Sequence, residues 1–268
     1  MKNSKTLVFL TMPFLVLGMG SCAQKDKQDA KKEVYVFAAA SMTETLNEIE
    51  KKYEAAHTDI DLKMSYESSG TLQKQIENGA TCDLFISAAQ KQMNALQEKD
   101  FVDTDTRLNL LENKVTLVVP SGNPKSVTSF EVLKGKLEAK EEGFILAIGN
   151  SDVPVGQYTQ KIFTHYGLVE SELATAGLLS YGTNVKEVTT QVSQASAHAG
   201  IIYKTDAFSA KLTVVDEATA EMCGQVIYPA AALKNAPQKE AAKEFLEYLK
   251  TKEASDVFES VGFTALNK

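Results

Sequence analysis

Residues 34–40 (VYVFAAA) form an uninterrupted apolar run, and a helical pattern follows at once to about residue 57. Such a run is typical of a strand buried on both faces, as in a parallel sheet. The same order recurs along the chain. Further strand patterns occupy residues 62–66, 84–86, 114–119, 144–148, 200–203, 213–215 and 225–233. Further helical patterns occupy residues 70–76, 89–99, 154–167, 184–197 and 238–250, and a last helix ends at Gly262. This order predicts an α/β fold with mainly parallel strands.

Composition excludes several classes of protein. The chain has 268 residues, of which 44% are hydrophobic and 24% charged, and its formal net charge is −7. These values are ordinary for a globular protein and exclude disorder over most of the chain. The excess of acids argues against general nucleic-acid binding, so no nucleic-acid partner is expected. The length fits one large domain or two domains of about 100–130 residues.

The N-terminus carries an export signal. Lys2 and Lys5 precede an apolar run at residues 7–18 that is too short for a comfortable membrane span. Small residues then lead to Cys22 and resemble a bacterial lipobox, with Met19 where that motif usually has Leu. We therefore expect a signal peptide at 1–21, lipidation of Cys22 and a lipid-anchored polar linker at 22–32. A plain secretory signal with an incidental cysteine is the alternative. Either way, the chain is expected on the periplasmic or cell-surface side of a bacterial membrane.

Two cysteines remain for the folded body. Cys82 and Cys223 do not make a disulfide framework. Export permits one bridge between them, and two separate buried thiols are the other possibility. The sequence leaves both open.

Catalytic motifs are absent from the sequence. There is no phosphate-binding G-x-x-x-x-G-K-[ST] loop, no C-x-x-C and no G-x-S-x-G elbow, and none of the three histidines belongs to an H-E-x-x-H motif. A dispersed Ser-His-Asp triad is a matter of spatial arrangement, so an exported hydrolase stays as an alternative. We expect a protein that is not an enzyme.

Residues that can bind an anion recur at four predicted strand-to-helix junctions. Ser41 begins an S-x-x-E capping box with Glu44. The other three junctions are Ser68-Ser69-Gly70, residues 153–156 (VPVG) and Asn184 with Glu187. Helix N-termini expose unpaired N–H groups at a positive dipole end and bind oxyanions without a cationic side chain. Ordinary helix capping accounts for any one of these junctions taken singly.

The order of short motifs resembles one family of transport proteins. The motifs are VFAAASMT at 36–43, SSGTLQKQI at 68–76, DLFISA at 83–88, VPVGQY at 153–158, Asn184-Val185, GIIY at 200–203 and VGF at 261–263. Together they resemble the molybdate-binding proteins of bacterial molybdate ABC transporters, over residues 34–263.

The resemblance implies an architecture and a function. The fold would be the two-lobed, type II-like periplasmic binding-protein fold, with the ligand in a cleft between the lobes. Residues 33–112 would form lobe 1, completed by 224–268, and residues 113–223 would form lobe 2. The chain would capture molybdate, and tungstate, as cargo and deliver it to an ABC transporter permease. No cofactor is expected, and the protein is expected to be a monomer.

The resemblance also implies the ligand-binding residues. Ser41 and Ser69 would each offer a hydroxyl and a backbone N–H, Val155 and Val185 would offer backbone N–H groups, and Tyr203 its phenol O–H. Family members often have Ala where Val155 stands. No side chain is expected to ligate a bare metal cation. Neutral donors suit a proton-free dianion, and a binding protein for sulfate or phosphate is the nearest alternative.

Overall fold

The computed structural model describes residues 31–267 of the chain. The predicted signal peptide, Cys22 and residues 23–30 of the predicted linker lie outside the described residues. None of the helices in the described part is long and apolar enough to cross a membrane.

Eleven strands are present in the described residues and form two sheets. They are β1 (Lys32–Ala39), β2 (Ile60–Glu67), β3 (Leu84–Ile86), β4 (Leu108–Asn113), β5 (Val115–Val119), β6 (Leu146–Gly149), β7 (Leu179–Gly182), β8 (Ala199–Tyr203), β9 (Thr213–Glu217), β10 (Val226–Ala232) and β11 (Thr264–Ala265).

Helices cover the two sheets. The α-helices of the described residues are α1 (Thr43–Ala56), α2 (Ser69–Glu77), α3 (Gln90–Glu98), α4 (Phe130–Glu138), α5 (Pro154–His165), α6 (Glu170–Thr175), α7 (Val185–Ser193), α8 (Lys204–Ser209), α9 (Ala220–Cys223), α10 (Lys239–Tyr248) and α11 (Lys252–Ser260). Two short 3-10 turns, Ala40–Met42 and Thr104–Thr106, complete the list.

The first sheet has six strands in the order β11-β4-β10-β3-β1-β2. Its strand β1 pairs in parallel with β2 on one side and β3 on the other. From Val36 onward β1 is buried or nearly so, which fits its uninterrupted apolar sequence. Strand β10 comes from near the end of the chain and pairs antiparallel with both β3 and β4. The C-terminal part of the chain therefore completes the sheet that the N-terminal part begins.

The second sheet has five strands in the order β7-β6-β8-β5-β9. Strand β6 pairs in parallel with β7 and β8, and β5 pairs antiparallel with β8 and β9. Each sheet forms the centre of one lobe, so the predicted two-lobed α/β fold is confirmed. The exact lobe boundaries stay predictions.

The expectation of mainly parallel strands is wrong. Four strand pairs are parallel and five are antiparallel. Four of the antiparallel pairs arise where β5 and β10 join the sheets, and the fifth is formed by the short C-terminal strand β11 with β4. A strand buried on both faces has the same apolar sequence in either direction, so its pattern does not reveal its polarity.

The sequence patterns missed several short elements. Strands β4, β7 and β11 and helices α4, α6, α8 and α9 were not predicted. Apart from α4 and β4, these elements are short, and β7 and β11 have only four and two residues. Such elements have little hydrophobic periodicity to detect.

Both cysteines of the body are buried free thiols. Burial raises the pKa of Cys82 and of Cys223. Of the two possibilities that the sequence left open, the structure contains two separate thiols.

Candidate anion-binding site

A small cavity of about 10 Å³ lies where segments of the two lobes meet. The lining residues follow β1, β2 and β3 in the first lobe and lie at the starts of α5 and α7 and the end of β8 in the second. They are Ala39, Ala40, Ser41, Glu67, Ser68, Ser69, Ala88, Val153, Pro154, Val185 and Tyr203. Four of the five predicted ligand residues therefore share one cavity.

Ser41 lies in the 3-10 turn between β1 and α1 and is 4% exposed. Its Oγ lies 2.8 Å from the hydroxyl oxygen of Tyr228. The predicted capping box of Ser41 with Glu44 is wrong, because Met42 precedes α1 and that position has no side-chain cap. The extra 3-10 turn displaces the helix start, so the Ser41 side chain is free to face the cavity.

Ser69 is the first residue of α2 and is fully buried. Its Oγ accepts a hydrogen bond of 2.9 Å from the backbone N–H of Ala88. The neighbouring Ser68 is the N-cap, and its Oγ accepts from the N–H of Thr71. The two adjacent serines thus have different roles. Ser68 caps the helix. Ser69 faces the cavity, and because it accepts from Ala88, its hydroxyl hydrogen is still available to a ligand.

Two helices of the second lobe begin at the cavity. Helix α7 starts with Val185, and its N-cap Asn184 accepts from the N–H of Glu187 as predicted. Helix α5 starts at Pro154, which lines the cavity together with Val153. Val155 is buried in the first turn of α5 but is not among the lining residues. The predicted role of Val155, donation of its backbone N–H to a ligand, stays a prediction.

Tyr203 ends β8 and is 1% exposed. Its hydroxyl has no hydrogen-bond partner in the described part of the chain. Burial raises the pKa of Tyr203 well above its usual value, so the phenol stays protonated and remains a donor. A buried hydroxyl left unpaired costs about 1–3 kcal/mol. A ligand oxygen in the cavity would remove that cost.

The charges near the site are paired with one another. The cavity lining contains no Lys or Arg and one acid, Glu67, which accepts from the amide of Asn184 at 3.3 Å. Lys186 Nζ lies 2.7 Å from Glu44 and 3.0 Å from the fully buried Asp206. Burial raises the pKa of Asp206 to about 6, against the opposing effect of Lys186. Lys186, which follows the lining residue Val185 in the sequence, is therefore committed to two carboxylates.

The two lobes touch closely beside the cavity. The N–H of Gly70 donates to the carbonyl oxygen of Asp152 at 3.2 Å. The side chain of Asp152 in turn pairs with Lys74 at 2.6 Å. With the Glu44–Lys186 and Glu67–Asn184 contacts, these bonds join α1, β2 and α2 of the first lobe to the second lobe. The arrangement is a closed cleft.

Two residues that support the site were not predicted from the sequence. Tyr228 of β10 contacts Ser41, and Asn113 at the end of β4 donates to Tyr228 from Nδ2 at 3.2 Å. Neither residue belongs to a local motif, so only the tertiary fold reveals them.

Metal chemistry finds no support in the described residues. Within residues 31–267 no group of three or more His, Cys, Asp or Glu side chains is placed to hold a metal ion. His57 ends α1 and stacks on Tyr53, and His198 accepts from the N–H of Ile145.

A two-lobed α/β body with a closed cavity between its lobes is the architecture of the extracytoplasmic solute-binding proteins. Residues 34–264 match the family described as bacterial extracellular solute-binding protein, and the chain belongs to this family.

Named relatives agree with the resemblance that the sequence motifs predicted. A Bacillus subtilis protein named as an ABC transporter substrate-binding lipoprotein is 37% identical over 98% of each chain. The molybdate-binding protein ModA of Haemophilus influenzae is 32% identical over 97% of this chain and 99% of its own. The periplasmic molybdate-binding protein of Azotobacter vinelandii superposes with a TM-score of 0.74 at 21% identity, covering 86% of this chain and 98% of that chain. This last likeness shows the fold.

Proposed function

We propose that the chain captures molybdate, and also tungstate, in the cavity between its lobes and delivers it to an ABC transporter permease. One observation carries the proposal: Ser41, Ser69, Val185 and Tyr203 line a single cavity that contains neutral donors and no Lys or Arg. The names of two relatives, a ModA protein and an ABC transporter substrate-binding lipoprotein, support the ligand and the partner.

The donors suit this ligand chemically. Molybdate is a tetrahedral dianion without a proton, so each of its oxygens accepts hydrogen bonds. Ser41, Ser69 and Tyr203 supply hydroxyl donors, and the starts of α2, α5 and α7 supply backbone N–H groups at positive dipole ends. Hydrogen bonds to a charged group are worth about 1.5–3 kcal/mol each, so a few of them suffice for tight binding. The proposed donors also include the backbone N–H of Val155.

The proposal also covers the cellular location and the oligomeric state of the protein. A lipid on Cys22 would hold the folded body at the outer face of a bacterial membrane, with 22–32 as tether and a monomer as the working unit. Cys22→Ser should release the protein from the membrane fraction or stall its processing. Equal membrane association of the variant and the wild type would contradict the anchor.

Calorimetric titration with sodium molybdate tests the proposed function. We expect one site per chain, no consumption of the ligand, and no comparable heat with sulfate or phosphate. Affinity should fall little between low and moderate sodium chloride, because short-range donors in a closed cleft are screened much less than exposed charges. Preference for sulfate or phosphate would favour the alternative anion, and turnover of a ligand would favour an enzyme.

A further inference from the structure

Ser41 Oγ and the Tyr228 hydroxyl lie 2.8 Å apart, and the distance alone does not say which oxygen donates. The direction matters, because a serine that gives its only hydrogen to Tyr228 has none left for an anion. The neighbours of Tyr228 decide between the two directions.

Asn113 fixes the polarity of this contact. Its Oδ1 accepts from the N–H of Lys114 at 2.8 Å, so its other terminal atom is the donating Nδ2. That Nδ2 has two hydrogens and two partners, Thr205 Oγ1 at 3.0 Å and Tyr228 Oη at 3.2 Å. Since an amide NH₂ only donates, Tyr228 accepts from Asn113.

The hydroxyl hydrogen of Tyr228 then needs an acceptor. The Tyr228 hydroxyl is buried beside Ser41 Oγ, at 2.8 Å, and beside the Tyr203 hydroxyl, which makes no hydrogen bond of normal geometry in the described chain. Donation to Ser41 satisfies the phenol fully, whereas acceptance from Ser41 would leave a buried phenol hydrogen unpaired, which is unfavourable. The same polarity holds at Ser69, whose Oγ accepts from the N–H of Ala88.

We propose that Asn113 and Tyr228 are positioning residues. Asn113 donates to Tyr228 and Tyr228 donates to Ser41 Oγ, so the Ser41 hydroxyl hydrogen is directed towards the anion. The chain of donors runs from Asn113 to Tyr228 to Ser41 to the ligand. Asn113 is the last residue of β4 before the chain enters β5 of the second sheet, and Thr205 belongs to α8. The donor chain therefore starts at a connection between the lobes. The inference rests on the proposed function, because it concerns the same anion site.

A double-mutant cycle with sodium molybdate tests this inference. Tyr228→Phe keeps the ring and removes the hydroxyl, and we expect its affinity to fall roughly 3- to 10-fold, as for loss of a neutral hydrogen bond. Ser41→Ala should lose more. In the Ser41→Ala background, Tyr228→Phe should have almost no further effect on affinity, because Tyr228 acts through Ser41.

Thermal unfolding of each variant and a matched control complete the test. Tyr53 is also a buried tyrosine, its hydroxyl has no hydrogen-bond partner in the described residues, and it packs against Phe245 of α10. Tyr53→Phe should bind molybdate like the wild type. Additive losses in the double variant, or unchanged or higher affinity in Tyr228→Phe, would overturn the inference. Absence of molybdate binding by the wild type would instead contradict the proposed function.

Discussion

Gly70→Ala is expected to lower molybdate affinity by at least about 100-fold. A Cβ built on Gly70 would lie 2.2 Å from the carbonyl oxygen of Asp152 in the other lobe. Since the contact involves backbone, the lobes would have to separate by about 1 Å to relieve it. Separation withdraws donors of the second lobe from the anion, and two charge-assisted hydrogen bonds are worth about 3–6 kcal/mol. That energy corresponds to roughly 100- to 10,000-fold in affinity.

Folding should survive this substitution. Gly70 lies in the first turn of α2, and Ala is a better helix former than Gly by about 1 kcal/mol. Gly135→Ala is the matched control, because Gly135 is also helical and a Cβ there would meet nothing within 4 Å. Calorimetry and thermal unfolding should show wild-type binding and equal or higher stability for the control. Tight binding by Gly70→Ala would show that the closed contact with Asp152 is not required.

Ser69→Ala is expected to weaken molybdate binding roughly 10- to 150-fold, the range of a hydrogen bond to a charged group. The change removes the hydroxyl that faces the cavity and also the acceptor of the Ala88 N–H. Ser41→Ala should lie in the same range, because it likewise removes one hydroxyl donor.

Ser68→Ala separates ligand binding from helix capping. Ser68 also lines the cavity, but its Oγ is engaged by the N–H and the hydroxyl of Thr71. Its loss should cost about 1 kcal/mol of stability and less affinity than the loss of Ser69. Titration calorimetry and thermal unfolding on both variants give the comparison. A larger loss of affinity in Ser68→Ala than in Ser69→Ala would reverse the assignment of the two hydroxyls.

Lys186 adjoins a predicted ligand residue in the sequence but points away from the cavity, as expected for neighbouring residues on a helix. Lys186 follows Val185 directly, yet its side chain bridges Glu44 and Asp206 rather than lining the cavity. Glu187, the other acid near α7, accepts from the N–H of Thr183 and so turns back on its own turn. The charged groups of Glu44, Lys186 and Glu187 are therefore engaged by groups other than the ligand.

The sequence predicted what short, local patterns encode. Buried strands such as β1, the helices that follow them and the caps at Ser68 and Asn184 all have local signals, and their order led to the family. The capping box at Ser41 failed because a 3-10 turn precedes α1, and a matching motif does not exclude that geometry.

The parts of the site that were not predicted depend on contacts between distant parts of the chain. Tyr228 lies 187 residues from Ser41, and its role follows from the antiparallel return of β10. Gly70 and Asp152 meet only because the two lobes close on each other. Hydrophobic periodicity carries no information on either contact, so neither was predictable from one sequence.

The position of the bound anion is the most direct test of the account. Crystals grown with sodium molybdate should give one strong anomalous difference peak at the molybdenum absorption edge, between Ser41, Ser69, Val185 and Tyr203. The ligand oxygens should lie within hydrogen-bond distance of the hydroxyls and of the first N–H groups of α2 and α7, with no lysine or arginine in contact. A peak beside a lysine elsewhere on the molecule, with this cavity unoccupied, would contradict the account.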